Sequence, residues 1–285
     1  MSESGKGGVA YAVISPHAGV SIPQSGRDED DAPAHKIQQA LLEQGKRLAE
    51  SGAESVILFT PHNVHVEETF AVIDADKMHG SLREDGPTCI QLQATVDREL
   101  ALGIQQAARA KGLPMLRINA GSNERGHTDH PMDWGTLIPL WYLGGRDESP
   151  RPITVVVPCR DLSAADHVRL GEAIADAVRE SGKKVAVIAS ADQAHGHDET
   201  GPYHQSDESG PFDDQVMEIL RSDQMERMSE MDLPLVRAAF ADSWWQMLML
   251  HGVLGKAWKP DEPVYERLTY FGMIVCSFSP RDPAA

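Results

Sequence analysis

The chain has 285 residues, 41% of them hydrophobic, which allows one large α/β domain or two small ones around a substantial core. Its formal net charge of -17 argues against nonspecific binding to nucleic acid or to an anionic membrane, since both require a basic patch. No stretch has the length and apolarity of a membrane-spanning helix, and the N-terminal MSESGKGGVAYAVIS lacks the basic-then-apolar pattern of an export signal.

The first strand is predicted over 11–15, an apolar, β-branched run in AVISPHAG that ends at Pro16. Proline has no N–H to give the ladder, so the run stops there. The next residue, His17, is mounted at a strand end, the edge at which α/β proteins place ligands. An irregular polar stretch over 19–33 follows, and its acidic run over 27–31 reads as a solvated loop. A helix is predicted over 34–51, with Ile37, Leu41, Leu42 and Leu48 at helical spacing and Gly52 as its stop. The second strand, 55–60 in VILFTPHN, repeats the first pattern: Pro61 ends it, His62 follows, and His65 lies just beyond.

A strand over 69–74 comes too soon after the second for a crossover helix, which predicts an antiparallel addition there. A helix over 92–111 closes at Gly112, and a strand over 115–119 follows. The loop beyond carries His127 and His130, and its glycine-rich GSNERG lacks the lysine and spacing of a phosphate loop. A strand over 153–158 precedes a helix over 163–181, opened by Ser163 as N-cap with Asp166 in the next turn and closed by Gly182. The strand over 184–190 leads through Ala191, Asp192, Gln193 and Ala194 to His195, within a polar stretch over 192–211 that also holds His197 and His204. Helices over 212–222 and 234–254 and a strand over 270–278 complete the chain. In the last helix Trp244, Trp245, Met247, Leu248 and Leu250 read as core or subunit interface.

Strands alternating with helices, several of them continuously apolar, predict an α/β fold: a central, mainly parallel, mixed sheet with helices on both faces. On that plan His17, His62 and His195 reach one sheet edge. Two neutral imidazoles held at strand ends are a natural start for a metal site. Read singly, each is equally a loop histidine beside a turn, but their matching contexts favour the site. His195, with a pKa near operating pH, suits general acid–base work; the alternative is a strand cap or a bond to a loop carbonyl. Cys89, Cys159 and Cys276 are odd in number and far apart, which fits a reducing cytoplasm.

Taken in order, SPH, TPHNVH, DWGTLIPLWYLGG, SADQAHG and MLHGVLG resemble the class III (LigB-type) extradiol dioxygenases over most of the chain. The resemblance implies a single LigB-like domain over residues 1–285. It implies one non-haem Fe(II), held by two histidines and a carboxylate, and insertion of both atoms of O2 into a catechol-like or 2-aminophenol-like ring. By the same resemblance His17 and His62 are metal ligands and His195 is the catalytic histidine. Two histidines and a carboxylate on one face of Fe(II) leave positions for the ring oxygens and O2.

Family members often carry Asp-His-Gly where this chain has Asp133, Trp134 and Gly135. The role of that histidine is then either absent or taken by His127 or His130, and Trp134 stacks on an aromatic substrate or packs in the core. The family's carboxylate ligand is a glutamate several residues before a glycine like Gly252. Counting back reaches Ser243, so the neighbouring Asp242 is the expected third ligand, with Glu218 and Glu266 as alternatives. Gly201, Pro202, Tyr203 and His204 are placed as part of a lid over the ring.

The expected partners are a small aromatic substrate and O2, with no nucleic acid and no membrane, in the cytoplasm. Family members are commonly oligomeric, so a homo-oligomer is expected, in some members with a second small subunit. Only Arg125 and Arg160 lie near the motifs, which favours a neutral ring over a dicarboxylate. Two other readings stay open. A zinc-dependent metallohydrolase could use the same ligands, although no HExxH is present. A non-catalytic, Memo-like binding protein or subunit would follow if the carboxylate were missing.

Overall fold

In the computed structural model, which describes residues 7–23, 32–83 and 88–282, the continuously apolar runs become strands buried on both faces. The first half of the chain forms β1 (Gly8–Ser15), α1 (Ala32–Glu50), β2 (Ser55–Phe59), β3 (Phe70–Ile73), β4 (Lys77–Arg83), β5 (Thr88–Thr95), α2 (Arg98–Ala110), β6 (Met115–Ile118), β7 (Asp129–Pro131) and α3 (Trp134–Tyr142). The second half forms β8 (Ile153–Val157), α4 (Ala164–Ser181), β9 (Lys184–Ser190), α5 (Ser209–Arg221), α6 (Leu233–Ala238), α7 (Trp244–Leu254), β10 (Trp258–Pro260), β11 (Val264–Leu268) and β12 (Phe271–Pro280).

Among the described residues, nine strands share one sheet in the order β10-β12-β1-β9-β2-β8-β3-β6, with β11 paired to β12. β1, β9, β2 and β8 run parallel, while β12 is antiparallel to β1 and β3 is antiparallel to β8. The protein is therefore α/β with a mixed sheet, and the antiparallel addition expected at 69–74 is β3. A small sheet, β5-β4-β7, lies apart.

Alternation along each strand divides the core. Ala12 and Ile14 of β1 pack on one face with α2, α4 and α7, while Tyr11 and Val13 pack on the other with α1 and α3. β9 divides in the same way, with Val187 and Ala189 against Ala186 and Ile188. Burying a large aliphatic side chain contributes about 1.5–3 kcal/mol, so a slip of one residue would exchange two filled cores.

β4, β5, β7, β10 and β11 are strands beyond those expected, and three helices differ from the sequence reading. The helix expected over 92–111 begins only at Arg98, after β5; Asp97 sets the boundary, its carboxylate accepting the Leu100 N–H at 3.2 Å. α3 was not expected at all: its residues from Gly135 to Tyr142 are all buried, so it shows no amphipathic period, and it carries Pro139. The helix expected over 234–254 is broken into α6 and α7, with Phe240 between them in the left-handed region at φ 53°. Trp244, Trp245, Met247, Leu248 and Leu250 are buried within the chain, which makes them core. The acidic run over 27–31 and the Cys89 side chain lie outside the described residues. No helix among the described residues is long and apolar enough to cross a membrane.

α4 and α7 approach through two glycines. A Cβ on Gly252 would stand 2.1 Å from the Val168 carbonyl oxygen, and one on Gly171 would stand 2.1 Å from that of Met249. Both neighbours are helix backbone, so neither can give way locally. Gly252→Ala is therefore expected to lose about 1–3 kcal/mol of stability in denaturant unfolding, the usual cost of overpacking. An unchanged midpoint would contradict this helix contact.

Candidate metal centre and cleft

Parallel pairing brings three strand ends to one edge. The register sets Ser15 beside Ser190 and Phe59 beside Ala189. Residues just beyond β1, β2 and β9 therefore leave the sheet together, and these are His17, His62, Asp192 and His195. A fifth residue, Asp242, comes from the break between α6 and α7, where it is no longer committed to a helix face.

The Nε2 atoms of His17 and His62 lie 3.1 Å apart, and Asp242 Oδ2 lies 3.3 Å from the first and 3.6 Å from the second. These ligand atoms all fall within 4.8 Å of one another. His17 is only 2% exposed, and the His62 side chain is 23% exposed on the open side. The Ser190 hydroxyl donates to the Gly135 carbonyl at 2.5 Å, so towards His17 it can only accept, taking the Nδ1–H at 2.9 Å. With Nδ1 protonated, Nε2 is the nitrogen free to ligate. Asp242 Oδ1 is buried and has no partner among the described residues.

The local charges also favour a cation at this point. Burial alone would push the pKa of His17 down, but Asp192 and Asp242 outweigh it and raise it to about 9. His62 goes the other way, to about 4, through burial and the neighbouring His17. Burial opposes ionisation of Asp242, yet His17 holds its carboxyl down at about 2. A site that attracts a proton to Nε2 attracts a divalent ion to the same place, and the ion displaces the proton. Two imidazole nitrogens, an ionised carboxylate and an orphaned carboxylate oxygen fit such an ion.

Buried polar contacts hold these ligands. Asp192 accepts the His17 N–H at 2.9 Å. Asp133 caps α3 through the Thr136 N–H at 3.0 Å and also accepts from Thr60 at 2.7 Å and from Asn63 at 2.9 Å. This one carboxylate thus ties the end of β2 to α3 on either side of His62. Gly135 must be small, because a Cβ there would meet Thr60 Oγ1 at 2.6 Å and His62 Cδ2 at 3.1 Å. Trp134, 50% exposed, lays its ring 4.0 Å from that of His62, so it is neither a core tryptophan nor free of the site.

His195 stands across a cleft of about 260 Å³ whose wall it shares with His17, His62, Asp242, Tyr203 and Phe271. Its N–H donates to the Ala239 carbonyl at 3.0 Å and its Nδ1–H to the Phe240 carbonyl at 2.9 Å, leaving Nε2 as a base. Asp213 secures the same loop, accepting the Ala194 N–H at 2.9 Å, His197 Nε2–H at 2.8 Å and the Tyr265 hydroxyl at 2.7 Å. His197 is thus a strut.

The remaining candidates are placed elsewhere. His130 is buried and donates through Nε2 to Asn63 Oδ1 at 2.7 Å, steadying the residue after His62, while His127 is exposed. Neither lines the cleft. Ser243 donates to Gln193 at 3.0 Å. Glu218 pairs with Arg227 at 2.8 Å and Glu266 with Lys36 at 2.5 Å, away from the histidines. Sequence reasoning missed Ser190, Asp192 and Asp213 as positioning groups. Ser190 and Asp192 do flank the end of the strand that leads to His195, which is the signal that was there to read.

The chain matches the family model described as the catalytic LigB subunit of aromatic ring-opening dioxygenase over residues 11–276. It is 23% identical over 252 residues to Protein CA_C1420 of Clostridium acetobutylicum, covering 88% of this chain and 53% of that protein. It is 24% identical over 193 residues to 3,4-dihydroxyphenylacetate 2,3-dioxygenase of Escherichia coli, covering 61% of this chain and 63% of that one. The chain thus spans between about half and under two thirds of the length of these curated relatives. Among solved structures, uncharacterized protein JW3007 from Escherichia coli K12 has a TM-score of 0.56 at 12% identity, covering 94% of this chain and 98% of that one, a likeness of fold.

His17→Ala and Asp242→Ala are expected to lose the stoichiometric divalent metal measured after anaerobic reconstitution and desalting. Ser190→Ala should keep the metal but bind it about 10–100-fold more weakly, since it frees the His17 ring. Unchanged metal content in the first two variants would place the ion elsewhere.

Proposed function

We propose that this chain, which belongs to the LigB family, is a non-haem Fe(II)-dependent extradiol dioxygenase that opens a catechol-like or 2-aminophenol-like ring with O2. The observation that carries the reading is the convergence of His17, His62 and Asp242 opposite His195, a histidine whose hydrogen bonds leave it as a base. The printed name of the Escherichia coli relative, a dihydroxyphenylacetate dioxygenase, supports the same chemistry.

His17, His62 and Asp242 would hold the iron, which when bound supplies open positions for the ring oxygens and O2 and a path for electron density between them. The chain's own residues do the rest. His195 Nε2 takes the proton of a ring hydroxyl and returns it later in the turnover, and the Phe240 carbonyl holds the imidazole in the tautomer that allows this. Tyr203 and Phe271 offer flat apolar walls against which an aromatic ring stacks. Trp134 covers the open side of His62 and shields that ligand from water. His127 and His130 have no direct role in this scheme; His130 acts through Asn63 on the loop that carries His62.

We read residues 1–285 as one LigB-like domain, supported by the nine-stranded sheet whose strands come from both ends of the described chain, Gly8 to Pro280. A reducing, cytoplasmic setting is supported by Cys159 and Cys276, both buried and unpaired.

After anaerobic loading with Fe(II), addition of catechols or 2-aminophenol in aerated buffer should consume O2 and yield a yellow ring-opened product. No uptake with any such ring would sink the proposal, and zinc with hydrolytic activity would return the metallohydrolase reading. His195→Phe should retain iron and lose about 10²–10⁴-fold in kcat, the range for a general acid–base. Loss of iron in that variant would mean the roles are misassigned.

A further inference from the structure

Among the described residues only two of the Trp, Tyr and Phe side chains are exposed, Trp134 at 50% and Tyr203 at 42%, and both line the cleft that holds His17, His62 and His195. A tryptophan left in water forfeits much of the stabilisation its burial would give, so an exposed one on a cleft wall calls for a reason. The Trp134 ring is tilted by only 32° to that of His62, and Tyr203 lies 5.3 Å from His195 on the other side. Each rim aromatic thus covers one histidine of the site.

The mount of Trp134 is rigid. Asp133, just before it, is tied to Thr60, Asn63 and Thr136, and Gly135, just after it, packs against Thr60 and His62 with no room for a Cβ. The indole cannot leave the wall by a local shift of the backbone.

The two flanks of the cleft are unequal. A second cavity, of about 570 Å³, opens beside His62, His195, Tyr203 and Asp242, which line both spaces. Trp134 lines only the inner cleft, whose 260 Å³ lies below the usual range for ligand pockets, about 300–1,000 Å³. One flank therefore continues into open space, and the other ends at an indole.

We propose that Trp134 is a specificity-determining residue: it closes one flank of the ring site, so that a bound ring carries any substituent beside its hydroxyls on the flank of the outer cavity. The proposal rests on the ring-opening function above and adds the residue that sets the ring's orientation. A catechol with both oxygens at His17, His62 and Asp242 has one ring position beside each hydroxyl, one per flank. A single substituent can turn away from Trp134, and two cannot. Orientation also decides the product. Ring opening breaks one C–C bond beside a hydroxyl-bearing carbon, and each carbon of that bond takes one atom of O2, with no other oxidant or reductant. The hydroxyl-bearing carbon becomes a carboxylic acid. In 3-methylcatechol the other carbon becomes a methyl ketone or an aldehyde, according to which side opens. One orientation gives one product, and two give a mixture.

The test measures binding of catechol, 3-methylcatechol and 3,6-dimethylcatechol to the Fe(II)-loaded protein by calorimetry under argon, for wild type, Trp134→Phe and Trp134→Ala. Wild type should hold 3-methylcatechol about as tightly as catechol, and 3,6-dimethylcatechol at least about tenfold more weakly, since one methylene in a shaped pocket is worth about 10–200-fold. That ratio should shrink in Trp134→Phe and vanish in Trp134→Ala. In aerated buffer 3-methylcatechol should give one product with wild type and both with Trp134→Ala. Ratios taken within each protein are insensitive to a general loss of affinity, and Trp134→Phe, which keeps a flat ring against His62, reads the trend if Trp134→Ala fails to fold. Equal binding of all three catechols by wild type overturns the proposal without a variant, and so does a tenfold ratio that survives Trp134→Ala. The expected ratios without O2 uptake leave the role of Trp134 standing and sink ring opening. O2 uptake with equal binding of all three does the reverse, and no binding of any catechol sinks both.

Discussion

The site depends on the register of one parallel pair. With Ser15 beside Ser190, the two strands end level, and each delivers a functional residue two positions later: His17 from β1 and Asp192 from β9. The Asp192 carboxylate then closes on the His17 N–H at 2.9 Å, and Ser190 closes on its ring at 2.9 Å. These bonds lie in a buried region where an unpaired polar group would cost about 1–3 kcal/mol, so slipping the pair would forfeit them as well as the two cores. The ligand geometry is thus a consequence of the same alternation that fills the sheet.

Charge is arranged on that scaffold so that a cation would fit. Asp192 and Asp242 are both buried, and His17 is the group between them. Burial raises the carboxyl of Asp192 while the neighbouring His17 holds that of Asp242 down. One carboxylate is therefore placed as an anchor and the other as a candidate ligand, although the two are the same residue type. Their hydrogen bonds show the same division: Asp192 is taken up by a backbone N–H, whereas Asp242 keeps one oxygen unpartnered.

Much of this was legible in the sequence because it was local. Proline after an apolar run marks a strand end, and that reading places His17, His62 and the parallel sheet. Asp242 was legible only by counting back along a presumed helix; that helix is broken, and the break is what frees the carboxylate. His127 and His130 were named from proximity to a motif, yet sequence proximity does not say which face of a loop is turned inward. His130 is buried under Asn63, and no local pattern distinguishes a buried histidine that braces a loop from one that meets substrate. Ser190 and Asp213 matter through contacts across the chain, β7 is only three residues long and α3 is buried all round from Gly135 on, so neither shows a period; β5 does alternate, with Ile90, Leu92 and Ala94 between polar residues, but its second half was absorbed into the helix expected over 92–111.

The turn at Phe240 joins the two halves of the site. A bulky residue at φ 53° carries a cost of about 1–3 kcal/mol, and such strain persists only where the surroundings hold it. Here the Phe240 ring packs 4.8 Å from His204 and 5.4 Å from Tyr203, both on the loop that carries His195. Its carbonyl accepts the His195 Nδ1–H, and two residues on the chain presents Asp242 to His17. A relaxed helix through this point would spend the Phe240 carbonyl on its own ladder and remove the partner that orients His195. The same continuity would turn Asp242 onto a helix face. The strained residue therefore sets the distance between His195 and Asp242, the candidate base and candidate ligand, a relation that neither motif carries by itself.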